Sequence, residues 1–417
     1  MSDKSIRTLS RIAAALGTLC LFVAVFANVI GISEGAVGRP RWILGIVGAV
    51  LLLIGLLRRK FFSGYKAVAI LGLNTVVLLL CLEGAATLLN RYVLPSETDV
   101  AGDPAMLDVA HTRSTRATYV EFMAEPFSGE YVNIDQRRLR VTPFTASEGQ
   151  EPIDVFAFGG STMWGEGASD DQTIPAYLQS RLTKELNHNV RVTNFGQRAW
   201  VATQSLIQLT LELSRGNVPD VVVFYDGFNE VHAYHATAKP GVPEPFGTAQ
   251  GGAAGLLNRS ALVHLFKHHI QRQQSPEFEV DDAAAKIITN YNGVIDVVRQ
   301  LGKQYGFATR FYWQPQFIDD PKPLTPEEAK LVGHAWQTEK VVSLMKATYA
   351  NATAVIEAHD DLVDLRDAFA AINERVYIDP AHVRSVGNKR VADLMLERGL
   401  LETVRDLQSL DQLHDER

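Results

Sequence analysis

The sequence predicts an α/β domain on a parallel sheet, preceded by three transmembrane helices. Three observations carry this. Between about residues 151 and 405, five short β-rich apolar runs alternate with helical patterns. Three long, nearly charge-free stretches lie in the first 91 residues. Charge divides with them: residues 1 to 91 hold ten Lys/Arg against three Asp/Glu, so of the chain's formal −7 the remainder carries −14. With 417 residues, 47% hydrophobic and 21% charged, the chain is neither disordered, collagen-like nor a disulfide-stapled mini-protein.

The first apolar stretch, Ile12 to Ile32, is interrupted only by Thr18 and Asn28 among larger polar residues, long enough at about 1.5 Å per residue for a hydrocarbon core of about 30 Å. The second is Trp42 to Leu57. The third, Ala67 to about Leu89, contains Asn74, Thr75, Glu83 and Thr87. Lys4, Arg7 and Arg11 precede the first, and Arg58, Arg59, Lys60 and Lys66 separate the second from the third, which predicts cytoplasmic flanks there and an exoplasmic C-terminal part. A cleavable signal peptide is the competing reading of the first stretch. Glu83 reads as part of an amphipathic collar at the end of the third span, or as an intramembrane carboxylate. Cys20 and Cys81 both fall in these stretches, so the outer part has no cysteine and no disulfide. The expected division is a membrane anchor over 1–95, a partly extended lead-in over 96–150, a catalytic domain over 151–405 with a flexible insertion around 232–279, and a polar tail over 406–417.

The predicted strands are Ile153 to Phe158, Val190 to Thr193, Val221 to Tyr225, Ala308 to Trp313 and Leu362 to Leu365, each a compact apolar run suited to a buried strand. Helical patterns cover Ile174 to Leu186, Ala202 to Leu213, Ala283 to Leu301 and Ser385 to Leu401. Thr325, Pro326 and Glu328 form a capping box that predicts a long helix from Pro326. Strands that alternate with helices imply parallel pairing with crossovers, and sites in such sheets lie beyond the strands' carboxyl ends. The region from His232 to Glu279 breaks this rhythm. Its Gly/Pro-rich part, Lys239 to Gly255, reads as a flap near that edge.

The residues able to do chemistry stand just after the strands. Gly159-Gly160-Ser161-Thr162 comes after the first, Asn194-Phe195-Gly196 after the second, and Asp226-Gly227-Phe228-Asn229-Glu230 after the third; Asp379-Pro380-Ala381-His382 precedes the last helix. The two glycines permit a tight turn that exposes the Ser161 hydroxyl as a nucleophile. His382 is the candidate base, and Asp379, three residues earlier, orients its imidazole. The Ser161 amide, the Gly196 amide and the Asn229 side-chain amide are the candidate oxyanion donors.

These four blocks, in this order and context, resemble those of SGNH (GDSL-type) hydrolases over roughly residues 151 to 405. The resemblance implies a flavodoxin-like α/β/α sandwich with five parallel strands, esterase or lipase activity, and the four family roles on Ser161, Gly196, Asn229 and His382. Gly160 stands where the first block usually has Asp, and Glu230 where the third usually ends in Asp. Gly-Gly-Ser-Thr is similar to variants in membrane-attached relatives that act on envelope or polysaccharide esters.

Trp164, Glu230, Gln314 and Gln316 are candidate substrate contacts at the same edge; ordinary packing or strand-end polarity reads equally well for several of them. Rival chemistries find less support. Gly160 to Gly165 has P-loop glycine spacing but Glu166 where Lys is needed. Gly165-x-Gly167 lacks the rest of a dinucleotide fingerprint. His264 and His268 are spaced for zinc without an acidic or Cys partner. Met163 occupies the second glycine position of a Gly-x-Ser-x-Gly elbow, which excludes the α/β-hydrolase pattern, and the acidic balance opposes nucleic-acid binding.

The expectation is therefore a membrane-embedded serine esterase, with its domain on the exoplasmic or periplasmic side, that removes an O-acyl, first of all O-acetyl, group from an envelope glycan or lipid-linked ester. No metal or cofactor is expected; envelope polysaccharide machinery is a candidate partner. The alternatives are an O-acyltransferase that passes the acyl group to a sugar hydroxyl, and a catalytically silent scaffold.

Overall fold

The five predicted apolar runs lie side by side as strands; Ile153–Gly159 and Val221–Asp226 at the centre are buried along nearly their whole length, and the strands flanking them are partly exposed. The structure, a computed structural model, describes residues 3–25, 39–56, 71, 74, 78, 81–85, 104–145, 150–244, 276–333 and 337–415. In chain order its elements begin with α1 (Asp3–Val25), α2 (Arg39–Leu56), α3 (Pro104–His111), β1 (Ser114–Ala117), β2 (Glu121–Ala124), β3 (Phe127–Ser128) and β4 (Asn133–Ile134). Next are β5 (Ile153–Gly159), α4 (Ser161–Trp164), α5 (Ile174–Leu186), β6 (Val190–Asn194), α6 (Ala202–Ser214), β7 (Val221–Asp226) and α7 (Phe228–Thr237). The remainder is α8 (Val280–Tyr305), β8 (Ala308–Trp313), α9 (Pro326–Ala329), α10 (Glu339–Glu357), β9 (Leu362–Asp364), α11 (Ser385–Met395) and α12 (Leu401–Asp415).

The main sheet has the order β6-β5-β7-β8-β9, with all pairs parallel. That is the flavodoxin-like order 2-1-3-4-5, in which the chain reverses direction at β5. Alternate residues of β5 serve opposite faces: Phe156 and Phe158 join Phe195, Phe224 and Phe311 under α6, α8 and α10, while Val155 and Ala157 join Val223, Tyr225 and Tyr312 under α5 and α11. Both faces are covered, as a parallel sheet requires.

The chain divides into two compact units, with α1 and α2 in one and the sheet with its helices in the other. In the first unit α1 and α2 pack closely at glycines: a Cβ on Gly17 would stand 2.5 Å from the Leu52 nitrogen, and one on Gly55 2.8 Å from Ala14. The expected three transmembrane helices are overturned. Among the described residues no helix is long and apolar enough to cross a membrane. The uncharged part of α1 starts only at Ile12 and the helix is described to Val25, about 21 Å; that of α2, from Trp42 to Leu56, is about 22 Å, both short of a core of about 30 Å. Of the third stretch only residues 71, 74, 78 and 81–85 are described.

The lead-in is more structured than its polar sequence suggests. β1 pairs with β2 and β3 with β4, both antiparallel, and side chains of the loop after β6 and of the first turn of α6 bind the lead-in backbone. Trp200 Nε1 donates to the Phe122 carbonyl (2.9 Å), Gln204 Nε2 to that of Val120 (2.7 Å) and Gln197 Nε2 to that of Arg138 (2.9 Å). The Ala124 amide donates to Gln197 Oε1 at 2.9 Å.

Two further expectations change. The capping box forms, with Thr325 Oγ1 accepting from the Glu328 amide and Glu328 Oε2 from the Thr325 amide, but it starts a single turn that ends at Ala329. The long helix is α10, capped by Thr338. Of the stretch read as a polar tail over 406–417, residues 406–415 belong to α12, which follows α11 across a kink at Arg398 and Gly399. Of the insertion around 232–279, residues 232–237 complete α7; most of the flap over 239–255, and His264 and His268, lie outside the described residues.

Candidate active site

The first glycine pair makes room where three strands end. A Cβ at Gly159 would lie 2.5 Å from the Tyr225 carbonyl oxygen, and one at Gly160 would lie 2.2 Å from Asn229 Nδ2. Only glycine lets β5 end so close to β7 while the Asn229 amide rests over the turn. Ser161 then opens the single turn α4, with Gly160 in the capping position, so its amide has no intrahelical acceptor.

The segment between β9 and α11 brings His382 to that turn. Its Nε2 lies 2.6 Å from Ser161 Oγ, and its Nδ1 lies 2.6 Å from Asp379 Oδ2. Asp379 Oδ1 accepts the amides of Ala381 and His382, each at 2.8 Å, which fixes the carboxylate within its own turn. His382 is buried. Burial alone pushes its pKa down, but the charge of Asp379 and the hydrogen bond to it outweigh this and raise it to about 9. Burial pushes Asp379 up, while the imidazole's charge and hydrogen bond, with the two amides, bring it below the ordinary carboxylate range.

The loop after β6 is built around Asn194. Its Oδ1 accepts the Gly196 amide at 2.9 Å and its Nδ2 donates to the Met163 and Trp164 carbonyls at 3.2 and 3.3 Å. Gly196 is there for space: a Cβ would meet the Trp164 nitrogen at 2.5 Å. Its amide, read from sequence as an oxyanion donor, is thus engaged by Asn194. Three residues on, Ala199 adopts a left-handed conformation (φ 58°) in the turn closed by the Trp200 amide on the Gln197 carbonyl (3.3 Å). Ala199 is exposed, and its amide has no partner among the described residues. The sequence signal that was available is the spacing of Ala199 after Asn194; a non-glycine residue there hid the positive φ. Asn229 Nδ2 donates to the Trp200 carbonyl at 2.8 Å, which ties the two loops above Gly160.

The candidate substrate contacts are all buried. Trp164 is fully enclosed, with the guanidinium groups of Arg140 and Arg198 over its ring at 4.6 and 4.5 Å, and packs beneath the turn. Gln316 caps the short 3-10 turn Phe317–Asp319 by accepting the Ile318 amide at 2.6 Å. Gln314 Oε1 lies 3.5 Å from Thr162 Oγ1. Both Glu230 oxygens accept backbone amides, from Ala202 at 2.9 Å and Gly227 at 2.8 Å. Sequence reading missed Glu166 and Arg198, paired at 2.9 Å. Their charges both act on His382, Glu166 raising its pKa and Arg198 lowering it.

No group of His, Cys, Asp and Glu side chains suited to a metal ion occurs among the described residues. With an acid-held imidazole on a serine hydroxyl, and unpaired amide donors beside it, the arrangement can take a proton from Ser161 and receive an oxyanion.

Several solved structures are similar to this chain. One is an acetyl xylan esterase, 18% identical, covering 59% of this chain and 98% of that one, with a TM-score of 0.35. A lipolytic protein of the G-D-S-L family from Desulfitobacterium hafniense is 10% identical, covering 59% and 99%, TM-score 0.34. An acetyl-xylooligosaccharide esterase from Geobacillus is 13% identical, covering 60% and 96%, TM-score 0.34. No protein-family model matches the chain and no curated protein matches it. Likenesses this distant assign no function to the chain.

Proposed function

We propose that the chain is an SGNH-type serine ester hydrolase that works through an acyl-enzyme on Ser161. The observation that carries this is the continuous relay from Ser161 Oγ through His382 to Asp379, two contacts of 2.6 Å. Neutral His382 takes the hydroxyl proton at Nε2 as Oγ attacks the ester carbonyl. Asp379 accepts from Nδ1–H and stabilises the imidazolium that forms. The imidazolium then gives its proton to the departing alcohol oxygen, and water repeats the sequence to release the acid. The negative oxygen of the tetrahedral intermediate is received by the Ser161 amide, by the second Asn229 Nδ2 hydrogen, which the Trp200 carbonyl leaves available, and by the Ala199 amide in place of that of Gly196.

The substrate we propose is a small O-acyl ester of a glycan, acetyl first. The support for it is the likeness of the Gly-Gly-Ser-Thr block to polysaccharide-ester relatives. Hydrolysis of 4-nitrophenyl esters of rising chain length tests the reading. The expected result is turnover that is fastest for acetate and is lost in Ser161→Ala; equal turnover in wild type and variant would end it.

A further inference from the structure

The two loops that carry the oxyanion donors arise from strands that do not touch. β6 and β7 flank β5 on opposite sides, so their ends are separated by two strand spacings, about 9.6 Å. The Ser161 turn emerges between them. Something has to hold the loops together over that turn, because an oxyanion pocket depends on the spacing of its donors.

We infer that Glu230 is the positioning residue that fixes this spacing, a single buried carboxylate that bridges the loop after β6 to the loop after β7. Its Oε1 accepts the Ala202 amide at 2.9 Å, just past Ala199 and Trp200; its Oε2 accepts the Gly227 amide at 2.8 Å, two residues before Asn229. Alongside it, Asn229 Nδ2 reaches the Trp200 carbonyl at 2.8 Å. Consecutive side chains, Asn229 and Glu230, thus make both cross-loop bonds, and Gly160 leaves the space under them: a Cβ there would strike Asn229 Nδ2 at 2.2 Å. Among the described residues the hydrogen bonds of Glu230 go to Ala202 and Gly227 and not to Ser161 or His382, so it acts through the donors it places. A carboxylate suits the task because it offers two acceptors to two amides that face it from different loops. Glutamine would turn its NH2 toward one of those amides, and aspartate is a methylene too short to span both.

The inference rests on the esterase reading, and the test separates the two. Hydrolysis of 4-nitrophenyl acetate and inhibition by a boronic acid, which forms a tetrahedral anion on the serine, are measured for wild type, Ser161→Ala, Glu230→Gln and Ala202→Pro. Ala202→Pro deletes the amide that Oε1 accepts. Ala202 is the first residue of α6, where proline is tolerated, and Val201 before it is already extended (φ −100°, ψ 162°). The fold therefore survives in at least this variant. Misplacing donors by about an ångström costs on the order of 10²-fold in rate. The expected result is kcat lower by about that factor in Glu230→Gln and by about tenfold in Ala202→Pro, KM within about twofold, and boronate affinity falling in proportion to kcat. The pH at which activity rises should not move, since Glu230 is not among the charges acting on His382. Wild-type kcat in either variant, or lowered kcat with boronate affinity intact, overturns the inference. Activity that survives Ser161→Ala overturns the esterase reading, and this inference with it.

Discussion

The nucleophile side and the base side of the site are each mounted on a buried glutamate, with different chemistry. Glu230, beside Asn229, has two backbone amides and, among the described residues, no cation. Burial pushes its pKa up, against those amides, and Asp226 nearby is pushed up further by burial and by the charge of Glu230. Glu328, on the base side, has four donors: the amides of Val376 and Tyr377 at 2.8 and 3.0 Å, the Thr325 amide at 2.9 Å, and Lys322 Nζ at 2.6 Å. Both side chains of that ion pair are wholly buried. Burial pushes Glu328 up as well, but Lys322 and the amides outweigh it and lower its pKa to about 2. The segment that leads to Asp379 and His382 thus hangs on a carboxylate that stays charged, while the oxyanion loops hang on one with only hydrogen bonds to keep it so. The base side is held by charge and should fail as stability. The nucleophile side is held by geometry and should fail as rate.

Four measurements bear on this contrast. Asp379→Asn changes the chemistry of the base side while leaving its mount intact, so kcat should fall on the order of 10⁴-fold. The pH at which kcat/KM rises should also move down, because the carboxylate that raises the imidazole is gone; a rise that stays where it was contradicts the pairing. Glu328→Gln leaves Lys322 buried without its partner and should cost roughly 3–5 kcal/mol in urea unfolding, with the activity of the remaining folded protein within a few-fold of wild type. Unchanged stability would remove the distinction between the two mounts. Asn229→Ala should slow turnover about 10²-fold, about 3 kcal/mol of barrier, with little loss of stability.

The fourth measurement concerns pH in the wild type. His382 must be neutral to act as base, so kcat/KM should rise about tenfold per pH unit up to about pH 9. Its folded pKa lies above the usual 6.5, so its contribution to stability is complete below about pH 6.5 and is lost as pH rises through about 9. Wild-type protein should therefore be most active where this contribution is weakest. A profile flat from pH 6 to 9 contradicts the raised imidazole.

The sheet was legible because buried parallel strands are continuous apolar runs. Ala308–Trp313 has the predicted bounds, and the other strands differ by a residue at one end. Ser161, Asn229, Asp379 and His382 stood out because each adjoins a strand end or the last helix, and the structure brings them to one edge of the sheet; their roles are what the experiments test. The lead-in was poorly legible because Trp200, Gln197 and Gln204 tie it by side-chain bonds to distant backbone, which leaves no periodic signal. The engagement of the Gly196 amide by Asn194 is likewise a matter of one rotamer. Pro326 and Thr325 read correctly as a helix start, but the length was misjudged, since Glu328 is committed to the loop holding His382. The membrane spans were read from hydropathy alone, and among the described residues no helix is long and apolar enough to cross a membrane.

The most direct test of the central claim is covalent labelling of the full chain with a fluorophosphonate, followed by mass analysis of the modified peptide. One adduct is expected, on Ser161, and it should form much more slowly in His382→Ala and not at all in Ser161→Ala. An adduct on another residue, or labelling of Ser161→Ala at the wild-type rate, would contradict that claim.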